Sequence, residues 1–513
     1  GTAVTTGINN TLIGGLAGDA LTDADNNVAI GVQALTADTL GSKSTAVGFN
    51  TLADQNFTTA TDSYNTAVGN NAGGAVTTGT SNTLIGGLAG DAITTGSFNT
   101  AIGKYALSAD TLGSRSIAIG QSTLGAQNFT TATNAHNIAI GYGTGGSVTT
   151  GVNNTLIGAL AGDALTTGNR NTVMGESALT TDTLGDRAVA IGNLTLNTQN
   201  LTTTTDTYNV AIGYAAGRLV TTGIHNSLIG GNAGDALTDA DSNVAIGYGA
   251  LTADTLGSTS VAVGRDALYS QIFTTATNAY NVAMGYNAGA GISTGTGNTF
   301  VGGLCGDGTD DGANNTAMGL SALTANCASA NAAFGGSAGI ACTGADNTLL
   351  GYFAAGQLSS GSRNTCIGHE SGSALFSNGL FQLTTEDDRI ILGTTEATNA
   401  YIQVAWTVVS DERDKTEITD IPQGLNLVKE LRPISYKFRT SREDDTPKGQ
   451  TRYGFSAQEV LAIEGDNPVI VDNEQEDRLK ITTDSLVAVL TKAIQEQQTL
   501  IESLTARITT LEG

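Results

Sequence analysis

Bond-making chemistry can be argued at one hexapeptide, Ser410-Asp411-Glu412-Arg413-Asp414-Lys415. A serine hydroxyl needs a base before it can attack a carbonyl, and the three histidines, His136, His225 and His369, all lie in the repetitive part of the chain. The nearest base is Lys415. A lysine can act as one only when burial draws its pKa from about 10 towards neutrality. Asp411 and Arg413 read either as positioning residues or as a surface ion pair. The bland reading of the whole run is a solvated turn.

Two other groups of residues have types suited to binding. Gln55-Asn56-Phe57-Thr58-Thr59-Ala60-Thr61 recurs with Phe129, Leu201 and Phe273 in place of Phe57, and the copies are followed by Tyr64, His136, Tyr208 and Tyr280. An aromatic, hydroxyl-rich bump repeated along a rod suits contact with a glycan, and sealing of protomers against one another is the competing reading. Paired carboxylates do not accompany the bumps, so glycoside hydrolysis has no support. Acidic turns at Asp19, Asp23 and Asp25, at Asp235, Asp239 and Asp241, and at Asp307, Asp310 and Asp311 offer oxygen ligands of the kind Ca²⁺ takes. They do not form an EF-hand loop, and solvated turns account for them, so neither a metal nor a cofactor is expected. Cys305 and Cys366 stand where other coils place alanine and read as small core residues. Cys327 and Cys342 stand on neighbouring coils at a spacing a disulfide can bridge.

The elements that carry these residues are announced by a glycine. Gly14, Gly31, Gly48 and Gly69 are followed by Gly86, Gly103, Gly120 and Gly141, and the series runs on to Gly368. The steps of 17, 17, 21 and 17 residues add to 72, and Asn10-Thr11-Leu12-Ile13-Gly14 returns with that superperiod at Asn82, Asn154, Asn226 and Asn298. Such a period means a solenoid. The residue before each glycine is apolar, the one two before it is usually Ala or Leu, and the one three before it is usually β-branched, which is the period-2 pattern of a short strand. Four before the glycine stands Asn in 17 of 21 coils; Ser44, Ser116, Ala188 and Ser260 fill the others, always in the third coil of a superrepeat. Asn before the strand and Gly after it read as turn residues that tolerate positive φ. The expectation is a mainly β, parallel β-solenoid or β-roll, with one short strand, a turn and a second strand per coil. At about 4.8 Å per coil the stack would be roughly 100 Å long.

Composition fits a thin rod. The chain has 68 glycines, 4 prolines, 13% charged residues and 5% aromatics, too few large side chains for one thick core. Residues 1–409 carry 9 Lys and Arg against 27 Asp and Glu, a balance of −18, and residues 410–513 carry 13 against 20, a balance of −7. An acidic rod repels nucleic acid and anionic membrane, and no run of 18 apolar residues is present to insert in a bilayer. The chain opens on Gly1 with no charged-then-apolar leader, so it is expected to begin after processing or as an excised piece.

Residues 1 to about 375 resemble the parallel β-roll repeats of trimeric adhesin heads, built from Asn-x-x-Ala-Ile-Gly-type units, and similar repeats of phage fibres. Further on, Ser410-Asp-x-Arg-x-Lys415 is followed by Leu431-Arg432-Pro433-Ile434, by Tyr436-x-Phe438, and by Tyr453-Gly454-Phe455-Ser456-Ala457-Gln458-Glu459-Val460. In that order they resemble the endosialidase-type C-terminal intramolecular chaperone and auto-processing domain of phage tail fibres and tailspikes. The resemblance implies that three such domains trimerise, align the stalks, and cleave themselves off. It makes Ser410 the nucleophile, Lys415 its general base, and Val409–Ser410 the scissile bond of an enzyme that acts once, on its own chain.

The resulting plan is a repetitive fibre over 1–374, a β-rich neck over 375–409 with Ile390, Ile391, Val404 and Trp406, a chaperone domain over 410–483 and a coiled coil over 484–513. Val487, Ile494, Ile501 and Ile508 take the a positions of that coil and Leu490, Gln497, Leu504 and Leu511 the d positions. β-branched a with Leu at d suits a dimer, but the fibre families resembled are trimeric and a buried Gln497 can redirect the choice, so a homotrimer is expected. The expected protein is a virion tail fibre whose partners are its own copies, other tail proteins and a host-surface glycan or protein receptor. The alternatives are a bacterial trimeric adhesin, which would carry a membrane-anchoring segment after its coiled coil, and a structural extracellular filament.

Overall fold

Each recurrent glycine closes a strand of three residues: Thr11–Ile13, Val28–Ile30, Thr45–Val47 and Thr66–Val68 are the first four. The strands pair in parallel and in register, with Thr11 beside Val28, Val28 beside Thr45, and Thr45 beside Thr66. Repeated along the chain, this gives one 22-stranded parallel sheet. In the computed structural model residues 1–373, 381–397, 399–403, 408–440, 442 and 444–513 are described. They divide into a first unit, Gly1–Ile367 with Leu383–Ile390, and a second, Gly368–Gln382 with Ile391–Gly513.

Period-2 alternation decides what each strand buries. In Val28-Ala29-Ile30 the central alanine is fully buried and its neighbours are half-buried. The inward column reads Leu84, Ala101, Ala118, Ala139 and then Leu156, Val173, Ala190, Ala211, so leucine fills one layer in four of these two superrepeats. Glycine after the strand is compulsory. Gly103 has φ +137°, and a Cβ there would stand 2.4 Å from the carbonyl oxygen of Gly120 in the next coil.

The recurrent asparagine does not have the conformation expected of it. Left-handed φ belongs to the residue before it, as at Asn26 (60°), Lys43 (62°) and Tyr64 (48°), while Asn27 and Asn65 are fully buried. Its side chain binds coil to coil instead. Asn82 N–H donates to Asn65 Oδ1 at 2.9 Å, Asn99 N–H to Asn82 Oδ1 at 3.0 Å, and Ser116 N–H to Asn99 Oδ1 at 3.0 Å. The amide nitrogens donate to backbone carbonyls, Asn82 Nδ2 to Gly96 O at 2.9 Å for example, with Asn315 Nδ2 the exception.

Serine cannot extend that ladder, and the 21-residue coil supplies a replacement. Gln55 Nε2 donates to Asp38 Oδ2 at 2.6 Å and to Ser44 Oγ at 2.8 Å, while its Oε1 accepts from Asn65 Nδ2 at 2.9 Å. Asp38 Oδ1 accepts from the backbone of Gly41 and Phe57. The same clamp recurs at Asp110 with Gln127, Asp182 with Gln199, and Asp254 with Gln271. Beyond Asn298 the ladder is unbroken through Asn315, Asn331, Asn347 and Asn364, and no such clamp is found there among the described residues.

A second strand in every coil, expected from the pattern, is not what forms. In the solenoid, two-residue strands form four pairs, Gly41–Ser42 with Thr61–Asp62 and its counterparts, each beside a clamp. The disulfide is absent too: all four cysteines are free and buried. Cys327 Sγ lies 3.1 Å from Thr309 Oγ1, and Cys342 Sγ accepts from Asn347 Nδ2 at 3.5 Å. Burial pushes the Cys305 and Cys342 thiols up to about 12.

Stacking also continues past residue 375, where the spacing of glycines lapses. Asn364 Nδ2 donates to Glu386 O at 2.8 Å, Arg389 N–H to Asn364 Oδ1 at 3.0 Å, and Arg363 pairs with Asp388. The step from Asn364 to Arg389 is 25 residues, where the one before it, Asn347 to Asn364, is 17. Leu375, Val404 and Trp406 of the neck lie outside the described residues.

The second unit has a core of Leu427, Val460, Ile470, Val471, Leu486 and Val489. Around it stand the helix Leu425–Glu430, the antiparallel hairpin Ile434–Arg439 with Pro447–Gly454, the helix Ala457–Glu464 and the 30-residue helix Thr483–Glu512. No helix among the described residues is long and apolar enough to cross a membrane.

Burial holds the carboxyls of Asp38, Asp110 and Asp182 above the usual carboxylate range. A carboxyl raised in the folded state binds its proton more tightly there than in the unfolded chain, so its contribution to stability grows as pH falls from neutrality towards the unfolded value near ~3.9. The rod's thermal midpoint, followed by circular dichroism, should climb by a larger margin on mild acidification in the wild type than in an Asp38→Asn/Asp110→Asn/Asp182→Asn chain. Gly103→Ala should lower that midpoint at every pH, since the new methyl meets backbone rather than a movable side chain.

Candidate functional site

A single turn brings the serine and the lysine together. Asp411 caps the 3₁₀ turn Glu412–Asp414, its carboxylate accepting from Arg413 N–H at 2.9 Å, and the reversal returns Lys415 to the residue that precedes the cap. Lys415 Nζ donates to Ser410 Oγ at 2.6 Å and lies 3.3 Å from Ser410 O. The base is therefore within reach of the proton it would have to take. Asp411 and Arg413 do not touch the dyad. Their side chains grip each other, Arg413 Nη2 to Asp411 Oδ2 at 2.6 Å, and that contact holds the Asp411 carboxyl below its ordinary value. Their part is to shape the turn. Ser410 and Lys415 are both exposed, and Val409 is 82% exposed.

Elements behind this turn rest on contacts that motif reading passes over. Arg432 forks onto the Glu459 carboxylate, with Nε to Oε2 at 3.0 Å, which ties the start of the hairpin to a helix capped by Ser456. Glu464, at the end of that helix, accepts from the N–H groups of Val469, Ile470 and Val471 at 2.9, 2.8 and 2.9 Å. One carboxylate so fixes the strand that enters the core. In the sequence it shows as an acidic residue shortly before an apolar run of three.

The long helix carries two apolar faces. Leu486 and Val489 belong to the unit's own core, and Ala493 is buried as well. Val487, Ile494, Ile501 and Ile508 are 60, 66, 49 and 53% exposed, and Leu490, Leu504 and Leu511 are 39, 55 and 84% exposed. They are the positions that the heptad reading assigns to a and d, and they lie open in the single chain.

The proposed glycan contacts separate into two kinds. Phe57, Phe129 and Phe273 are 5, 4 and 7% exposed, and Leu201 is 6% exposed. They plug the clamp, the Phe57 ring closing over Gly41 beside Asp38, and so present no face to a ligand. Tyr64, Tyr208 and Tyr280 are 56, 46 and 61% exposed, and His136 is exposed as well. All four occupy left-handed turn positions. Lys43 Nζ donates to Tyr64 Oη at 3.1 Å and Arg187 Nη1 to Tyr208 Oη at 2.7 Å, so two of the rings are held by cations of the preceding coil. The acidic turns serve the stack: Asp25 Oδ1 accepts from Ile8 N–H and Asp241 Oδ1 from Ile224 N–H, both at 2.7 Å. Among the described residues no group of three His, Cys, Asp or Glu is placed to hold a metal.

These features define a class, a long parallel β-solenoid followed by a small mixed α/β unit with a solvent-facing Ser–Lys pair. Residues 410–470 match the family model described as chaperone of endosialidase, and the match opens on Ser410 itself. No curated protein and no solved structure matches the chain.

Glu464→Ala strips the acceptor from three backbone N–H groups, a loss of about 1–3 kcal/mol for each group left buried without a partner. The urea midpoint of the C-terminal unit should fall accordingly, with the rod's own transition unmoved.

Proposed function

We propose that this chain is the subunit of a homotrimeric phage tail fibre, a virion appendage whose rod meets a host-cell surface and whose C-terminal unit assembles the trimer and then releases itself. The observation that carries the reading is the 2.6 Å contact of Lys415 Nζ with Ser410 Oγ at the first residue of the chaperone match.

Attack by Ser410 Oγ on the carbonyl carbon of Val409 is an N-to-O acyl shift. The Oγ proton passes to Lys415 Nζ, an ester forms between Val409 and Ser410, and the C–N bond opens with that proton returned to the departing amine. Water then hydrolyses the ester, leaving a Val409 carboxylate and a free Ser410 amino terminus. A lysine takes a proton only when neutral, and burial favours the neutral form. Because the single chain leaves Lys415 in water, cleavage is coupled to whatever covers it. Assembly of three chains through the open a and d seam is the event that does so. The trimer also answers a problem posed by the rod. A slip of 72 residues sets nearly the same side chains together, and a distinct terminal unit removes that degeneracy. Once the unit has gone, the rod cannot retrace its folding path, which gives kinetic stability.

Intact-mass measurement of the full chain tests the chemistry. A break between Val409 and Ser410 is expected in the wild type and in neither Ser410→Ala nor Lys415→Ala; an intact wild type, or a Lys415→Ala chain that still breaks, would overturn it. For the coupling, Ile494→Asp/Ile501→Asp should sediment as a monomer and remain uncut with the dyad unchanged.

A further inference from the structure

The two columns just after the strand-closing glycines change from one superrepeat to the next, and in the fourth they come together as a cleft. In the column just after the strand-closing glycines stand Gly231, Tyr248, Arg265 and Tyr286, and in the next column Asn232, Gly249, Asp266 and Asn287. Seventy-two residues earlier Glu176, Asn193 and Leu194 stand for Tyr248, Arg265 and Asp266, while Leu160 and Asn197 stand for Asn232 and Tyr269. The exchanged residues line a cleft of about 600 Å³ whose walls include Asn232, Tyr248, Arg265, Tyr269, Asn287 and Asp307.

Small residues make the cleft and aromatic ones furnish it. Tyr248 lies flat above Gly231, where a Cβ would stand 3.3 Å from its ring, and Asp266 fills the space over Gly249, where a Cβ would stand 2.6 Å from its carboxylate. The Arg265 guanidinium lies 5.9 Å from the Tyr248 ring centre and 6.0 Å from that of Tyr286. Its Nε donates to Asp266 Oδ2 at 3.0 Å, and among the described residues its two terminal nitrogens have no hydrogen-bond partner. Tyr248, Tyr269 and Tyr286 are 58, 48 and 53% exposed.

Two oxygens of this wall are buried without a hydrogen-bond partner among the described residues. In the first superrepeat Asn50 Nδ2 donates to Asn71 Oδ1 at 2.6 Å. Here the donor's place is taken by Asp266, which can only accept, and Asn287 Oδ1 is buried with no donor. Asp307 Oδ1 is likewise buried and unpartnered. Asp91 and Asp163 share that second feature, so the orphan peculiar to the cleft is Asn287.

We infer that this cleft is a saccharide-binding site, and that its occupant is an uncharged, hydroxyl-rich glycan. Such a ring has C–H faces that stack on tyrosine and hydroxyls that both donate to the orphan oxygens and accept from the Arg265 terminal nitrogens. Arg265 is already neutralised by Asp266, and Asp307 adds a negative charge, so an anionic sugar is disfavoured. A second copy of the chain is a poorer occupant, because assembly contacts along a repeat recur with the repeat and this cleft does not. The inference rests on the reading of the rod as the surface-binding part of the fibre, and it places that function at superrepeat four rather than on the aromatic bumps.

The test uses the full-length protein on a printed array of neutral and carboxylated oligosaccharides, beside Tyr248→Ala, Arg265→Ala and Asn287→Ala, with Tyr64→Ala for reference. Neutral oligosaccharide should be bound, at least tenfold more weakly by each cleft variant, and as well by Tyr64→Ala as by the wild type, with sedimentation unchanged throughout. Cleft variants that bind like the wild type would overturn the site and leave the fibre's surface-binding role standing. A wild type that binds nothing, or only carboxylated sugars, overturns it too. Loss of subunits in the variants would make the cleft a protomer contact.

Discussion

Hydrogen bonding between consecutive coils is the constraint on which everything else depends. A strand of three residues cannot hold itself together, and its backbone groups are satisfied only by the strands above and below. That arrangement demands close approach, which is why the residue after each strand has no side chain: Gly103 faces Gly120 at a distance no Cβ tolerates. It also demands register. The buried asparagines supply it, each spending its oxygen on the next coil's N–H and, except at Asn315, its nitrogen on a turn carbonyl. Where serine or alanine interrupts the column, the longer coil brings in a glutamine and an aspartate to close the circuit. Four extra residues per superrepeat are thus the means by which a broken ladder is repaired.

Much of this was readable beforehand, for a simple reason. A solenoid repeats its environment, so a residue required once is required many times, and the glycine column and the alternation around it stand out against everything else. Strand positions, the parallel sheet and the inward Ala/Leu column follow from spacing alone. What spacing could not tell was the job of a recurrent residue. Asn was expected in the turn because it tolerates positive φ, yet a neighbour of nearly any type, Lys43 or Phe98 among them, takes that conformation. The asparagine is retained for two hydrogen-bonding groups on one short stem. Phe57 was read as a surface feature because it sits among threonines, whereas its burial depends on Asp38 lying in the coil before.

The candidate sites show the same division. Ser410 and Lys415 are close in sequence, and a short turn suffices to join them, so their contact was legible. The cleft around Arg265 was not, because it is made by departures from a repeat. Each exchange looks like drift when read along the chain. Only stacking shows that Tyr248, Arg265 and Tyr286, drawn from successive coils, stand one above another.

The direction of the strands has a mechanical consequence. They run across the stack, so their hydrogen bonds lie along it, and tension applied at one end loads the bonds of the last coil first and few others. Failure under load is then a peeling of one layer at a time, each layer of 17 residues paying out about 60 Å of chain. A rod built in this way yields in small steps under a sudden pull while the coils beyond the break keep their structure, and it can lengthen many times over before it parts.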